Sequence, residues 1–229
     1  MRQEGSLATT HDSAPRLPRG RSSLPPSDVA AAQRTRLLSA AVAAVAEAGL
    51  RGTTVADIVR RAKVSRASFY AHFADKDDCI RQATENGWTL LVGAVATATK
   101  ECPADAEPEL VWRAGCGAFL RFLADEPAFA RLFYVAGPSA GEAAFAGHDA
   151  ATEQFAAFNQ EWHERARARY PDWPQVPFDA FIALAGAFTE LVGVRVRHGR
   201  TDELPALEDT LTALYLAVLA GRRWPDTTR

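Results

Sequence analysis

The chain is poor in cysteine, and what it has is scattered. Cys79, Cys102 and Cys116 form no C-x-x-C pair and have no histidine at metal-ligand spacing. Neither a metal site nor a disulfide scaffold is expected from them, and an odd, separated set points to reduced thiols in a cytoplasmic protein. Long hydrophobic runs are missing too. No stretch reaches the roughly 18 uninterrupted apolar residues of a membrane span, and the N-terminus has no apolar run of signal-peptide length, so no membrane partner is expected. Strand signals are scarce: few segments alternate with period two, none is bounded by hairpin turn residues, and no repeat of fixed period appears. The zinc-protease H-E-x-x-H, the phosphate-binding loop and G-x-G-x-x-G do not occur. Cys116, His163 and Glu190 are the residue types of a Cys-His-acid set, yet nothing in the sequence brings them together, and a helical enzyme is a remote alternative with no catalytic residue and no cofactor assigned.

What remains is a helical pattern. Apolar residues make up 48% of 229 residues, enough for a sizeable core. Gly and Pro gather at seams such as "AGLRG" at 48–52, "GPSAG" at 137–141 and "YPDWPQVP" at 170–177. Between them, apolar residues recur three and four apart, which predicts an all-α fold. Charge is divided unevenly. Residues 1–76 hold twelve Lys/Arg against six Asp/Glu, whereas residues 77–229 hold fourteen against twenty-two. The split suggests one part that faces a polyanion, joined to one that does not.

Residues 1–26, rich in Pro, Ser, Gly and Arg, are expected to be disordered. Arg16, Arg19 and Arg21 make them either a basic arm for a DNA groove or an inert leader. A first helix is predicted over Ser27 to Ala48, with Leu37, Leu38, Ala41, Val42 and Val45 as its apolar stripe and Gly49 as its stop. Thr54 and Asp57 then form a capping pair for a short helix with Val55, Ile58, Val59 and Ala62 inside. Ser65 caps a third helix, Arg66 to Phe73, with Phe69 and Phe73 on one face, and Asp75 caps a fourth that begins near Lys76. Two short helices behind a longer one form a helix-turn-helix, whose second helix reads base edges in the major groove with its N-terminal residues. Arg66 has the fork for guanine O6 and N7. Thr54, Ser65, Ser68 and Tyr70 can donate to phosphate oxygens, His72 is a further candidate contact, and Lys76 supplies a point charge to the DNA backbone.

The segment "TTVADIVRRAKVSRASFYAHFADKDDCI" resembles the DNA-binding signature of the TetR family of transcriptional regulators. It matches at Thr54, Ala62, Val64, Ser65, Tyr70, His72, Phe73 and Lys76, with nothing inserted or deleted. Lys63 replaces the frequent turn glycine, Asp77 the usual glutamate and Cys79 a common leucine. The resemblance, specific over residues 34–80, implies a DNA-binding domain over 27–76 and a helical effector-binding and dimerisation domain over 77–229. It implies further that middle-helix aromatics wall a pocket for a largely apolar small molecule. Candidate lining residues are Trp88, Trp112, Cys116, Phe119, Phe133, Phe155, Phe158, Trp162 and Phe188, with Asn159, His163, Thr189 or Glu190 to orient a ligand; the alternative is that these aromatics are simply core. By the same resemblance, the last two long helices, about 178–197 and 207–222, form a four-helix bundle between two subunits, either that or they close the monomer's own core. The expected protein is a repressor that binds a palindromic operator as a homodimer and is released by a hydrophobic effector, or else a regulator or activator without an effector.

Overall fold

A computed structural model describes residues 7–8, 25–136 and 142–222. The described residues are helical and contain no strand. None of their helices is long and apolar enough to cross a membrane. The chain divides into two compact units, residues 1–90 with 125–139 and residues 91–124 with 140–229.

In the first unit, α1 (Pro26–Gly52) begins with proline in its first turn, where the missing N–H costs nothing. The stripe Leu37, Leu38, Ala41, Val42 and Val45 is buried, none of it more than 5% exposed. Gly49, at φ +73°, ends the regular helix where a side chain would be strained. The helix α2 (Val55–Ala62) carries a full capping box: Thr54 Oγ1 accepts from the Asp57 N–H, and Asp57 accepts from the Thr54 N–H. Lys63 follows in the left-handed conformation, φ +55°, so lysine takes the strained backbone that glycine would relieve. Ser65 caps α3 (Arg66–His72) by accepting from the Ser68 N–H at 3.0 Å. Asp75 accepts from the Asp78 N–H at 2.8 Å at the start of α4 (Lys76–Lys100), and Asp78 accepts from the Ala74 N–H in return. The part of α4 up to Leu90 belongs to this unit.

The unit also takes in a segment distant in sequence. The short α6 (Pro127–Arg131) runs into a π-helical turn, Leu132–Ala136, and both pack on α1. Gly87 of α4 lies directly under the Phe129 ring: a Cβ there would meet Phe129 Cε2 at 2.1 Å. Of the arm expected over residues 1–26, nearly all lies outside the described residues; Leu7 donates its N–H to Glu126 Oε2 at 2.8 Å.

The second unit holds the end of α4, α5 (Pro108–Asp125, its last residue apart), α7 (Glu142–Arg169), α8 (Phe178–Arg197), a 3-10 helix (Thr201–Leu207) and α9 (Glu208–Leu219). Its core gathers Trp162, Ala166, Phe181, Tyr215, Leu216 and Leu219. Trp173 joins them although it lies in the α7–α8 connection, which its sequence marks only as a seam. The last helix ends at Leu219 instead of near Arg222. Gly221 turns left-handed at φ +65°, and the Arg222 N–H returns to the Leu216 carbonyl. Leu207, at the end of the 3-10 helix, and Leu211 of α9 are buried in the monomer, while Val218 of α9 is 37% exposed. On α8, Phe178, Ala183 and Gly186 are exposed, and Gly193 is buried.

Candidate nucleic-acid interface and effector cavity

The orientation of α3 is set by its inner face. Phe69 and Phe73 are 0% and 2% exposed with ring centroids 5.5 Å apart, and fully burying a phenylalanine stabilises by about 1.5–3 kcal/mol. With those two fixed, the helix has little freedom to rotate, and Arg66 and Tyr70 point outward. Tyr70 is 53% exposed and meets Phe69 edge-on at 5.3 Å, which steadies the ring while its hydroxyl stays accessible. Arg66 is exposed and makes no hydrogen bond or ion pair among the described residues. Its neighbours on α2 differ: Arg60 pairs with Asp57 at 2.8 Å, and Arg61 pairs with Glu47.

The remaining candidates carry local duties. Thr54 donates its hydroxyl proton to Asp57 Oδ2 at 2.6 Å, and this bond and the Thr54 N–H hold the Asp57 carboxyl below the usual range. Donation from Thr54 to an outside acceptor therefore competes with the cap. Ser65 and Ser68 hydroxyls lie 3.2 Å apart on the exposed rim of α3. His72 is half-buried beside Phe73. Lys76 gives one of its three N–H donors to the Leu50 carbonyl at 2.9 Å and lies 3.9 Å from Asp77. It thereby ties the start of α4 to the end of α1 and keeps two donors for other partners.

The second unit carries a cavity of about 400 Å³ that opens to solvent. Trp112, Cys116, Phe119, Phe155, Phe158, Trp162 and Phe188 line it, together with Val95, Thr99, Val111, Asn159, Arg165 and Arg169 among others. Trp88 and Phe133 do not reach it. They belong to the first unit, where they stack on each other at 5.3 Å with planes 6° apart. The walls are braced ring on ring: Phe119 meets Phe188 edge-on at 5.0 Å, and Trp112 stacks on Tyr215 at 3.5 Å. Phe158, 47% exposed, stands where the lining meets solvent.

Of the polar groups suggested as ligand anchors, only Asn159 lines the cavity. His163 is 2% exposed and donates from Nε2 to the Leu219 carbonyl at 2.8 Å, and burial pushes its pKa down, so the ring is neutral. Thr189 is half-buried away from the lining, and Glu190 pairs with Arg197 at 2.5 Å on an exposed face. Burial pushes the Cys116 thiol up to about 12, which leaves it protonated and unreactive. The "GPSAG" seam spells G-x-S-x-G, a string whose chemistry requires a strand-to-helix turn. Residues 137–141 lie outside the described residues, and the flanking elements are a π-helical turn and a helix. Sequence reasoning missed Arg165 and Arg169. A signal existed: Phe158, Trp162, Arg165 and Arg169 follow one another three and four apart along a single face of α7, with Asn159 and Ala166 beside them.

Residues 37–83 match the family model described as bacterial regulatory proteins, tetR family. The HTH-type transcriptional regulator EthR of Mycobacterium tuberculosis is 28% identical over 156 residues, covering 68% of this chain and 67% of that protein. Among solved structures, a TetR-like transcriptional regulator from Rhodococcus sp. RHA1 aligns with a TM-score of 0.66 at 24% identity, covering 90% of this chain and 100% of the other. FadR from Bacillus subtilis, in complex with stearoyl-CoA, aligns with a TM-score of 0.68 at 16% identity, covering 82% and 98%. At these identities the two structures share a fold with this chain.

Proposed function

We propose, on the premise that this chain is a member of the TetR family of bacterial regulatory proteins and hence a DNA-binding transcriptional regulator, that it is a ligand-released repressor acting as a homodimer. The observation that carries the DNA-reading assignment is Arg66, exposed and unpartnered among the described residues at the N-terminal end of a helix whose other face is locked by Phe69 and Phe73. Arg66 reads a guanine edge; Tyr70, Ser65, Ser68, Thr54, His72 and Lys76 contact the phosphates around it. Two copies joined through α8 and α9 present two α3 helices about 34 Å apart or a multiple of it, and so select a palindromic operator. Exposed Phe178 and Val218, with the open surface at Ala183 and Gly186, support that pairing.

The effector is a largely apolar molecule in the cavity of the second unit. Its aromatic lining supports this, as does the stearoyl-CoA bound by a FadR of the same fold. Release requires that the ligand bind more tightly to the state unable to hold both half-sites, since equal affinity for both states shifts nothing. The test is selection of bound duplexes from a random DNA pool by the purified chain. One palindromic motif is the expected outcome. Sequence-blind binding would overturn the operator reading, and a motif with a single unrepeated half-site would overturn the homodimer.

A further inference from the structure

The lining of the cavity is largely apolar, and its charged side chains carry one sign. Among the described residues they are Arg165 and Arg169, and no Asp or Glu joins them. The two stand four apart on α7, so one helical turn separates two cationic groups on one face. Both belong to the opening: the Arg165 side chain is 66% exposed and that of Arg169 48%. The deeper wall is aromatic, with Phe119, Trp162 and Phe188 all buried. Apolar inside and cationic at the rim, the cavity matches a molecule with a hydrocarbon body and an anionic head.

The two arginines are not equivalent. Arg169 donates to the Asp105 and Ala106 carbonyls and lies 3.6 Å from Glu107, whose other carboxylate oxygen accepts from the Tyr170 hydroxyl. It pins the segment that gives Ala104, Ala106 and Pro108 to the lining, and so shapes the rim. Arg165 makes no hydrogen bond among the described residues. Its ion pair with Glu161 is 3.8 Å long between side chains 66% and 70% exposed, a solvent-screened contact that holds the guanidinium weakly. Arg165 is therefore free to exchange that partner for a ligand carboxylate, to which it can donate two parallel N–H bonds, while Glu161 stays hydrated. We propose that the cavity takes an ionised carboxylic acid, its hydrocarbon chain among the aromatic side chains and its carboxylate paired with Arg165 at the opening. This rests on the reading of the cavity as the effector site and narrows it to a chemical class.

The test is calorimetric titration of the full-length chain with octanoate, octanol, octylammonium and octanoyl-CoA at low and at physiological salt. Octanoate should bind about 3- to 10-fold tighter than octanol, and the margin should shrink as salt is raised. Octylammonium should bind more weakly than either. Octanoyl-CoA has an uncharged thioester where the carboxylate would lie, and should bind no tighter than octanoate. Arg165→Gln, a change at an exposed side chain, should bring octanoate down to octanol and leave octanol where it was, and Arg165→Lys should keep part of the margin. Octanoate no tighter than octanol, octylammonium or octanoyl-CoA binding tightest, or a margin that survives in Arg165→Gln would overturn the proposal and leave the effector site standing. If none of the four binds, both the proposal and the assignment of this cavity to an effector fall.

Discussion

Gly87→Ala is a one-methyl change with a large predicted cost. The new Cβ would lie 2.1, 2.5 and 2.8 Å from three carbons of the Phe129 ring, about 1 Å or more short of ordinary contact at the nearest. Phe129 is 1% exposed and its ring is braced by Phe133 at 6.1 Å, so it has no open space to retreat into. Overpacking of this kind costs about 1–3 kcal/mol, and a ring that cannot slide takes the upper part of that range. Alanine is also the better helix former by about 1 kcal/mol, which works in the opposite direction. The net expectation is a loss of about 1–2 kcal/mol, or a fall of about 2–8 °C in Tm for a chain this size. Thermal unfolding of Gly87→Ala, Phe129→Leu and the double variant checks it. The double variant should recover at least about 0.5 kcal/mol relative to the sum of the single effects, since leucine vacates the space the methyl needs. An unchanged or raised Tm in Gly87→Ala, or strict additivity, would refute the close packing of α4 on α6.

Three further outcomes follow from local chemistry. Lys63→Gly should stabilise by about 0.5–1 kcal/mol in urea unfolding, because a left-handed residue at φ +55° is relieved without moving α2 or α3. Ser65→Ala should cost about 1 kcal/mol by removing the cap on α3, read in the same titration. His163 is held neutral by burial, with a folded pKa below its unfolded value of about 6.5, so the unfolded chain takes up the proton first. Stability should therefore be highest above that pH and fall as pH drops through it. His163→Gln, which can still donate to the Leu219 carbonyl, should flatten that acid limb in a Tm-against-pH series.

Much of the first unit was legible because its devices are short-range. The capping box at Thr54 and Asp57, the caps at Ser65 and Asp75, and the stop at Gly49 each depend on residues three or four apart, and the structure forms every one. The α3 face was legible for the same reason, since Phe69 and Phe73 share a side at helical spacing. Trp88 and Phe133 were not. Their aromatic character suits either a cavity wall or a core, and only the packing of α6 and the π-helical turn on α1 draws Phe133 into the first unit. Asn159 shows the converse. Its spacing placed it beside Phe155 and Trp162, but only the bond from its Nδ2 to the Phe155 carbonyl shows which of its two polar atoms is left without a partner.

The central claim is that α3 reads sequence through Arg66. Its most direct test is fluorescence anisotropy with wild type and Arg66→Ala, on the duplex recovered by selection and on a scrambled duplex of the same length, at fixed salt. A bidentate guanine contact is worth about 1–3 kcal/mol, so the variant should lose about 5- to 150-fold on the selected duplex and little on the scrambled one. Equal losses on both duplexes would make Arg66 a phosphate contact and contradict the account.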